Sequence, residues 1–227
     1  GYPSREAFGP LLRDAASVAD VVEIGVPFSD PMADGVTIQR ASRAALEQGV
    51  TLRWILSTLR EMSERPGVPL VLMGYLNPFL AYGVERLAVD AAAAGVSGFI
   101  VPDLPLEESP LMRGALDRAG LALIQLVTPV TPRERLARLC AASRGFVYAV
   151  TMTGTTGATR ALGAAEPAGA RRDAADRLAA YLDGLRQLSP LPVVAGFGIG
   201  TREQVGRIAP HADGIVVGSA LIEALER

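Results

Sequence analysis

Glu23 is an acidic residue inside an otherwise apolar run, Val21 to Pro27. The run has the composition of a buried strand, and an acidic side chain that points from such a strand into an apolar interior loses its solvation. Desolvation raises the pKa of a carboxyl group, so Glu23 is suited to donating and accepting a proton near neutral pH. A structural glutamate held in a salt bridge is the alternative.

The loop after this run, Phe28 to Gly35, brings two more carboxylates, Asp30 and Asp34, to the same strand end. Each has a plain structural explanation, because Asp before Gly is common in turns and Asp30 can form an Asx turn or cap a helix. Taken alone, the two aspartates are therefore explained by turn formation as well as by chemistry.

Two glycine-rich turns follow the last two apolar runs, at Gly196 to Gly200 and at Gly218-Ser219. Glycine lets an anion approach backbone amides closely, and the N-terminus of a helix favours negative charge. The turns therefore predict a phosphate site. The alternative is that they only start helices, and Thr201 to Gln204 does have the spacing of a capping box.

The stretch Thr151 to Ala170 is rich in glycine, threonine and alanine and is too long for a tight connection. Such a segment can close over a pocket and exclude water. We interpret it as a lid, with an ordinary surface loop as the alternative.

The composition excludes several chemistries. The sequence contains no lysine, so all 22 cationic side chains are arginine, which cannot form a Schiff base. One histidine, His211, and one cysteine, Cys140, cannot build a Cys/His zinc site or a disulfide. Acid–base chemistry therefore falls to carboxylates, hydroxyls and backbone amides, and no metal site is predicted.

The overall charge indicates that the natural ligands are small molecules. The formal net charge is −2, which does not favour nucleic acid or an anionic membrane. No apolar run is long enough to span a membrane, and no secretory signal opens the chain. The sequence therefore predicts a cytoplasmic protein.

Seven short apolar runs have the composition of buried strands, and amphipathic stretches such as Ala41 to Glu64 lie between them. This alternation predicts an α/β fold with a parallel sheet covered by helices. The predicted strands are Val21 to Val26, Leu70 to Met73, Gly98 to Val101, Ala122 to Val127, Phe146 to Thr151, Pro192 to Ala195 and Gly214 to Val217.

The spacing of the strands favours a (βα)8 barrel, with residues 1–227 as one domain. An open doubly wound sheet is the alternative, but its dinucleotide fingerprint is missing, because Gly196 to Gly200 is spaced G-x-G-x-G. The chain opens on a turn, Gly1 to Ser4, and a first predicted helix at Ser4 to Val18. We therefore expect the first strand to be missing from this chain, as in a barrel truncated at its N-terminus.

The stretch Glu23 to Gly35, followed by Thr37 to Ala41, closely resembles the signature of the tryptophan synthase alpha subunit family. The resemblance extends over the whole chain. It is also carried by Gly1 to Ser4, Tyr75 to Pro78, Val101 to Glu108, Gly154 to Gly157, Gly196 to Ile199 and Gly218 to Ala220. The sequence departs from the family pattern at Val36 and Thr155.

The resemblance implies a (βα)8-barrel lyase that cleaves indole-3-glycerol phosphate to indole and glyceraldehyde 3-phosphate in tryptophan biosynthesis, without a cofactor. It implies that Glu23 shuttles protons and that Asp34 holds the indole N–H. It further implies that Thr156 hydrogen-bonds this aspartate when the lid closes. The implied phosphate-binding and pocket residues are Gly157, Gly198, Gly218, Ser219, Tyr75, Tyr148 and Phe197. For the tyrosines, ordinary core packing is the alternative.

The family also implies a partner, the tryptophan synthase beta subunit, in an alpha2beta2 complex to which pyridoxal phosphate would belong. Three other interpretations stay open at this point: a stand-alone lyase, a non-catalytic subunit that only docks on the beta subunit, and a sugar-phosphate isomerase or epimerase barrel. The last does not explain the match around Glu23 and Asp34.

Overall fold

The structure is a computed structural model that describes residues 1–151 and 168–226, with the side chains of residues 168–174 excluded. The predicted lid residues Thr156 and Gly157 lie outside the described residues.

The described strands form a parallel ladder in which each strand pairs with the next one along the chain, in the order β1-β2-β3-β4-β5-β6-β7. A doubly wound sheet reverses its strand order at a switch point, so this sequential order excludes the open-sheet alternative. The strands are β1 Val22–Gly25, β2 Leu70–Met73, β3 Val96–Ile100, β4 Ala122–Val127, β5 Val147–Val150, β6 Val193–Gly196 and β7 Gly214–Ile215.

Helices lie between the strands, as expected for right-handed crossovers in a parallel sheet. In the described part of the chain they are α1 Phe8–Ala16, α2 Val36–Glu47, α3 Leu52–Glu61, α4 Leu76–Tyr82, α5 Val84–Ala93, α6 Pro110–Arg118, α7 Arg133–Ala142, α8 Ala168–Leu188, α9 Arg202–Ile208 and α10 Ser219–Ala224. A helix precedes the first described strand, as the sequence predicted.

The chain divides into two compact units, and the boundary between them falls within strand β4. The first unit comprises Gly1–Pro31 and Gln39–Ile124. Its core is a continuous apolar cluster in which alternate residues of β1, β2 and β3 pack against helices α1 to α6. Phe79 and Phe99 meet edge to face at its centre, with ring centroids 5.4 Å apart, and both rings are fully buried.

The second unit comprises Met32–Ile38 and Gln125–Arg227. Its buried apolar residues come from β4 to β6 and from helices α7 to α9. The short segment Met32–Ile38 is notable because it groups with this C-terminal unit although both of its flanks in the chain belong to the first unit. The prediction that residues 1–227 form one domain stays a prediction.

The predicted helical stretch Ala41 to Glu64 is two helices, α2 and α3. Gly49 adopts a positive φ of 74°, a conformation that commonly ends a helix and that glycine reaches without strain. Thr51 then starts α3 as its N-cap, with its side chain accepting a hydrogen bond from the amide of Trp54 at 3.1 Å. The hydrophobic period continues across this break, which is why the sequence pattern did not reveal it.

A polar cluster joins α4 to α5 in the first unit. The Tyr82 hydroxyl donates to Asp90 Oδ2 at 2.6 Å, and Arg86 Nε lies 3.3 Å from the same oxygen. The hydrogen bond from Tyr82, followed by the nearby arginines, lowers the pKa of Asp90, whereas burial and this same carboxylate raise the pKa of Tyr82. Asp90 is therefore stabilised in its charged form by folding.

We expect Asp90→Asn to lower the free energy of unfolding by about 1 kcal/mol at neutral pH, the usual net worth of a hydrogen bond. A lowered folded-state pKa contributes stability that is present above the ordinary value of 3.8 and lost as the pH falls through the folded value. The difference between wild type and Asp90→Asn should therefore shrink below pH 3.8, as measured by urea unfolding. Asp117→Asn, at an exposed position of α6, is the control. An equal pH dependence in both variants contradicts the prediction.

Candidate active site

Glu23 lies on the face of β1 that is turned away from the helices. Val22 and Ile24 are buried in the apolar core with the helices, and side chains alternate between the two faces of a strand. Glu23 is half-buried and pairs in register with Val71 of β2, which is only 3% exposed. The backbone of Glu23 therefore lies beside a buried apolar residue of the neighbouring strand.

The loop after β1 is held by a hydroxyl of α2 within the first unit. Ser42 Oγ accepts a hydrogen bond from the amide of Phe28 at 3.0 Å and donates one to the carbonyl oxygen of the same residue at 3.1 Å. The Phe28 ring then packs on Tyr75, with centroids 5.4 Å apart. Ser42 thus orients the start of the loop that continues to the candidate aspartates.

Tyr75 is 4% exposed and directly precedes α4. The first amide of α4, that of Leu76, donates to Asp103 Oδ1 at 2.8 Å. A carboxylate at a helix N-terminus satisfies a backbone donor and is favoured by the helix dipole. Asp103, from the loop after β3, therefore fixes the turn that carries Tyr75.

In the second unit, Tyr148 of β5 packs against the predicted phosphate turn. It is 3% exposed and meets Phe197 edge to face, with ring centroids 5.5 Å apart. Phe197 has a positive φ of 72° and Gly198 one of 76°. A bulky residue is uncommon in this conformation, and such strained residues cluster at functional sites. The predicted site residues Tyr148, Phe197 and Gly198 are therefore brought together.

Thr151 holds the strained turn from the end of β5. Its hydroxyl lies 2.9 Å from the carbonyl oxygen of Gly196 and also hydrogen-bonds the carbonyl of Phe197. Thr151 is 8% exposed, so the hydroxyl is satisfied by the turn itself.

The other end of the turn starts helix α9. Thr201 and Gln204 form the predicted capping box, and Gln204 Oε1 accepts hydrogen bonds from the amides of Gly200 and Thr201 at 2.9 and 3.0 Å. For this part of the turn the helix-start explanation is confirmed. The backbone amides of Gly200 and Thr201 are thus already hydrogen-bonded. The amides that remain candidates for binding an anion are those of Phe197 to Ile199 and those at the N-terminus of α10.

Helix α10 starts at Ser219 with Gly218 as its N-cap, and among the described residues no side chain caps it. The first amides of a helix have no partner inside the helix, so a ligand anion can serve as the cap here. Asp34, in the segment Met32–Ile38, belongs to the same unit and is half-buried. Glu23 and Tyr75 belong to the first unit.

Sequence reasoning did not assign Ser42, Asp103 or Thr151 a role. Asp103 stands in a stretch that carries the family resemblance, and its position just after a strand could have suggested a helix cap. Ser42 and Thr151 leave no such signal, because their partners lie 14 and 45 residues away.

The parallel ladder, the acidic residue Glu23 on a strand face and the glycine-rich turn after β6 define a class of protein: a parallel α/β enzyme with its candidate site residues at the ends of the strands. The comparisons specify the family. The profile described as "Tryptophan synthase alpha chain" matches residues 1–227. The chain belongs to the tryptophan synthase alpha chain family.

Individual relatives agree with this assignment. The tryptophan synthase alpha chain of Roseiflexus castenholzii is 47% identical over 100% of this chain and 83% of its own length. The crystal structure of the alpha subunit from Legionella pneumophila is 34% identical, with a TM-score of 0.83 over 100% of this chain and 81% of that one. A chain of the tryptophan synthase complex from Pyrococcus furiosus is 30% identical, with a TM-score of 0.84, covering 100% and 86% respectively.

The predicted (βα)8 fold class and the predicted function are thereby confirmed: the chain is a lyase of the alpha reaction, in which indole-3-glycerol phosphate is cleaved in tryptophan biosynthesis. Within the described residues, no three His, Cys, Asp or Glu side chains are grouped so that they could hold a metal ion. No helix among them is long and apolar enough to cross a membrane.

Gly196 is required by the close approach of Tyr148. A Cβ atom at Gly196 would lie 2.6 Å from Tyr148 Cζ, closer than van der Waals contact allows, and Tyr148 is only 3% exposed. We expect Gly196→Ala to lower the free energy of unfolding by about 1–3 kcal/mol, as overpacking does, and to reduce activity, as measured by urea unfolding and indole release. Gly184→Ala is the control, because a Cβ there meets no atom within 4 Å and the substitution favours a helix. Equal stability of the two variants contradicts the prediction.

Proposed function

We propose that Glu23 is the proton carrier of the alpha reaction in this chain. The observation that carries the proposal is the position of this carboxyl group, half-buried on the strand face opposite the helices and beside Val71. An apolar surface disfavours the charged form and so suits a group that must both donate and accept a proton.

The reaction balances with a single such group. Protonated Glu23 donates to C3 of the indole ring, which gives an indolenine cation. The resulting carboxylate then removes the proton of the glycerol hydroxyl next to the ring, and a carbonyl group forms there. The carbon–carbon bond breaks, and its electron pair restores the indole double bond. The products are indole and glyceraldehyde 3-phosphate, and Glu23 recovers its proton.

We assign Asp34 to the indole N–H. Its carboxylate would accept a hydrogen bond from that group and stabilise the positive charge that develops on the ring, which is the type of interaction that lowers a barrier most effectively. Thr156 would hydrogen-bond Asp34 on closure of the segment that contains it.

The substrate phosphate is assigned to the turn after β6 and to the start of α10, through Gly157, Gly198, Gly218 and Ser219. The support for this is the N-terminus of α10, which no side chain in the described part of the chain caps, and the positive φ of Phe197 and Gly198 in the turn after β6. Tyr75, Tyr148 and Phe197 are assigned to the walls of the substrate pocket, since aromatic side chains supply most of the apolar contact in small-molecule sites.

The partner that we propose is the tryptophan synthase beta subunit, in an alpha2beta2 complex. Met32, in the loop that carries Asp34, is 75% exposed, and Val36, the first residue of α2, is 63% exposed. Apolar side chains that are exposed close together in the chain are suited to burial by a partner. We propose no cofactor for this chain, and pyridoxal phosphate is assigned to the beta subunit. The chain is proposed to work in the cytoplasm.

We expect Glu23→Gln to reduce indole release from indole-3-glycerol phosphate by about 100-fold or more, the usual worth of general acid–base catalysis. Glutamine keeps the size of the side chain but cannot carry the proton. The measurement is the steady-state rate of indole formation by the purified chain. Glu61→Gln, at the exposed end of α3, is the matched control and should leave the rate unchanged. A Glu23→Gln variant with the wild-type rate rules out the assignment.

We expect added beta subunit to raise the rate of indole release. Met32→Asp should raise the beta-subunit concentration needed for half of this effect by about tenfold, since it places a charge in a contact that becomes buried. Val18→Asp is the control. Val18 is also an exposed apolar residue, at 87%, but it lies before β1, at the opposite end of the strand from the loop that carries Met32. Light scattering of the mixture measures the stoichiometry. A full rate that beta subunit does not alter would favour the stand-alone lyase instead.

A further inference from the structure

A hydrogen bond within the second unit joins the segment of Asp34 to the last helix. Thr37 Oγ1 donates to Glu223 Oε1 at 3.1 Å, across 186 residues of sequence. Thr37 is 8% exposed, and it lies in the first turn of α2, three residues after Asp34. Glu223 lies in the last turn of α10.

Each end of this hydrogen bond lies three or four residues from a group assigned to the substrate: Thr37 follows Asp34 by three residues, and Glu223 follows Ser219 by four. Residues four apart lie on the same side of a helix, so Glu223 shares a side of α10 with Ser219, at the start of the helix. On the other side of the bond, Thr37 follows directly from the turn that carries Asp34. The bond therefore links the candidate indole ligand to the candidate phosphate ligand.

The placement of Glu223 is not explained by the stability of α10 itself. The C-terminus of a helix carries partial negative charge, so a carboxylate in the last turn is disfavoured by the helix dipole. A hydrogen bond to an ionised acceptor is stronger than one between neutral groups, and the bond from Thr37 offsets this penalty. The grouping of Met32–Ile38 with the C-terminal unit, away from both of its chain neighbours, agrees with a specific attachment at this point.

We propose that Thr37 and Glu223 are a positioning pair that sets the distance between Asp34 and the phosphate-binding start of α10. The pair thereby selects substrates in which an aromatic N–H and a phosphate are separated by a three-carbon chain. The proposal rests on the assignments of Asp34 and Ser219 made above. Neither Thr37 nor Glu223 touches the reacting atoms in this scheme.

The test uses a ligand that spans both ends of the site and a ligand that occupies one end. The spanning probe is a non-cleavable analogue, an indole ring with a three-carbon chain and a terminal phosphate but no hydroxyl groups. The single-end probe is glyceraldehyde 3-phosphate. Calorimetry or fluorescence gives the Kd of each for wild type and for Thr37→Val, which removes the hydroxyl and keeps the shape of the side chain.

Thr37→Val should weaken binding of the spanning analogue by up to about tenfold, because the segment that the bond orders in the free protein must then be ordered on binding, at a cost of up to about 1.4 kcal/mol. The Kd of glyceraldehyde 3-phosphate should change by less than about twofold, because one end alone does not depend on the separation. Thr37→Ser keeps the hydroxyl donor, and Glu223→Gln keeps an oxygen acceptor. Both variants should therefore retain most of the wild-type affinity for the analogue.

A double-mutant cycle identifies the pair itself. In a Glu223→Ala background, Thr37→Val should have no further effect on the Kd of the analogue, because the bond is already lost. If Thr37→Val weakened binding of the analogue as much in the Glu223→Ala background as in wild type, the two residues would act independently and the proposal would be overturned. A spanning-analogue Kd that Thr37→Val leaves within about twofold of wild type, in a variant with a wild-type circular dichroism spectrum, would also overturn it.

If the Thr37–Glu223 bond only stabilised the fold, the two binding probes would give a different result. Thr37→Val would then lower the melting temperature and weaken both probes to the same degree, or neither, and the proposal would be wrong. These binding measurements do not depend on turnover. Failure of the proposed proton carrier, seen as wild-type indole release by Glu23→Gln, is therefore distinguishable from failure of the positioning pair.

Discussion

The parallel hydrogen-bond ladder is the interaction on which the site depends. Each described strand pairs with its neighbour in sequence, so within each unit the carboxyl ends of the strands lie at one edge and their following loops emerge there. The side-chain period of two then decides which face of the sheet a residue occupies. A shift of one residue in β1 would exchange Glu23 with Val22 or Ile24 and would place a carboxyl group in the apolar core.

Within each unit, loops at the carboxyl ends of the strands are held by single polar side chains. Ser42 holds the start of the loop after β1, Asp103 caps α4, and Thr151 ties down the turn after β6. Each of these groups hydrogen-bonds to backbone, which orients a loop without a large apolar contact. The strained φ of Phe197 is tolerated because Thr151 and the packing of Tyr148 determine the turn from two sides.

Much of the fold could be predicted from the sequence. The strand at Leu70–Met73 was predicted with the bounds that the structure has, as was Ala122–Val127, because continuous apolar runs bounded by turns are a strong local signal. The helix break at Gly49 was missed because the apolar period continues across it. The short helix α4 was missed because seven residues carry too little periodicity to distinguish them from a loop.

The sequence by itself determined the chemistry available to this protein. Without lysine and with one histidine and one cysteine, acid–base chemistry falls to carboxylates, hydroxyls and backbone amides, and the position of Glu23 in an apolar run already marked it as a candidate. The tertiary structure alone decided which groups support the site: the bond of Thr37 to Glu223, that of Thr151 to Gly196, and the approach of Tyr148 to Gly196. Periodicity reports the environment of a residue along one element, whereas these contacts join residues far apart in the chain, and only the assembled sheet brings them together.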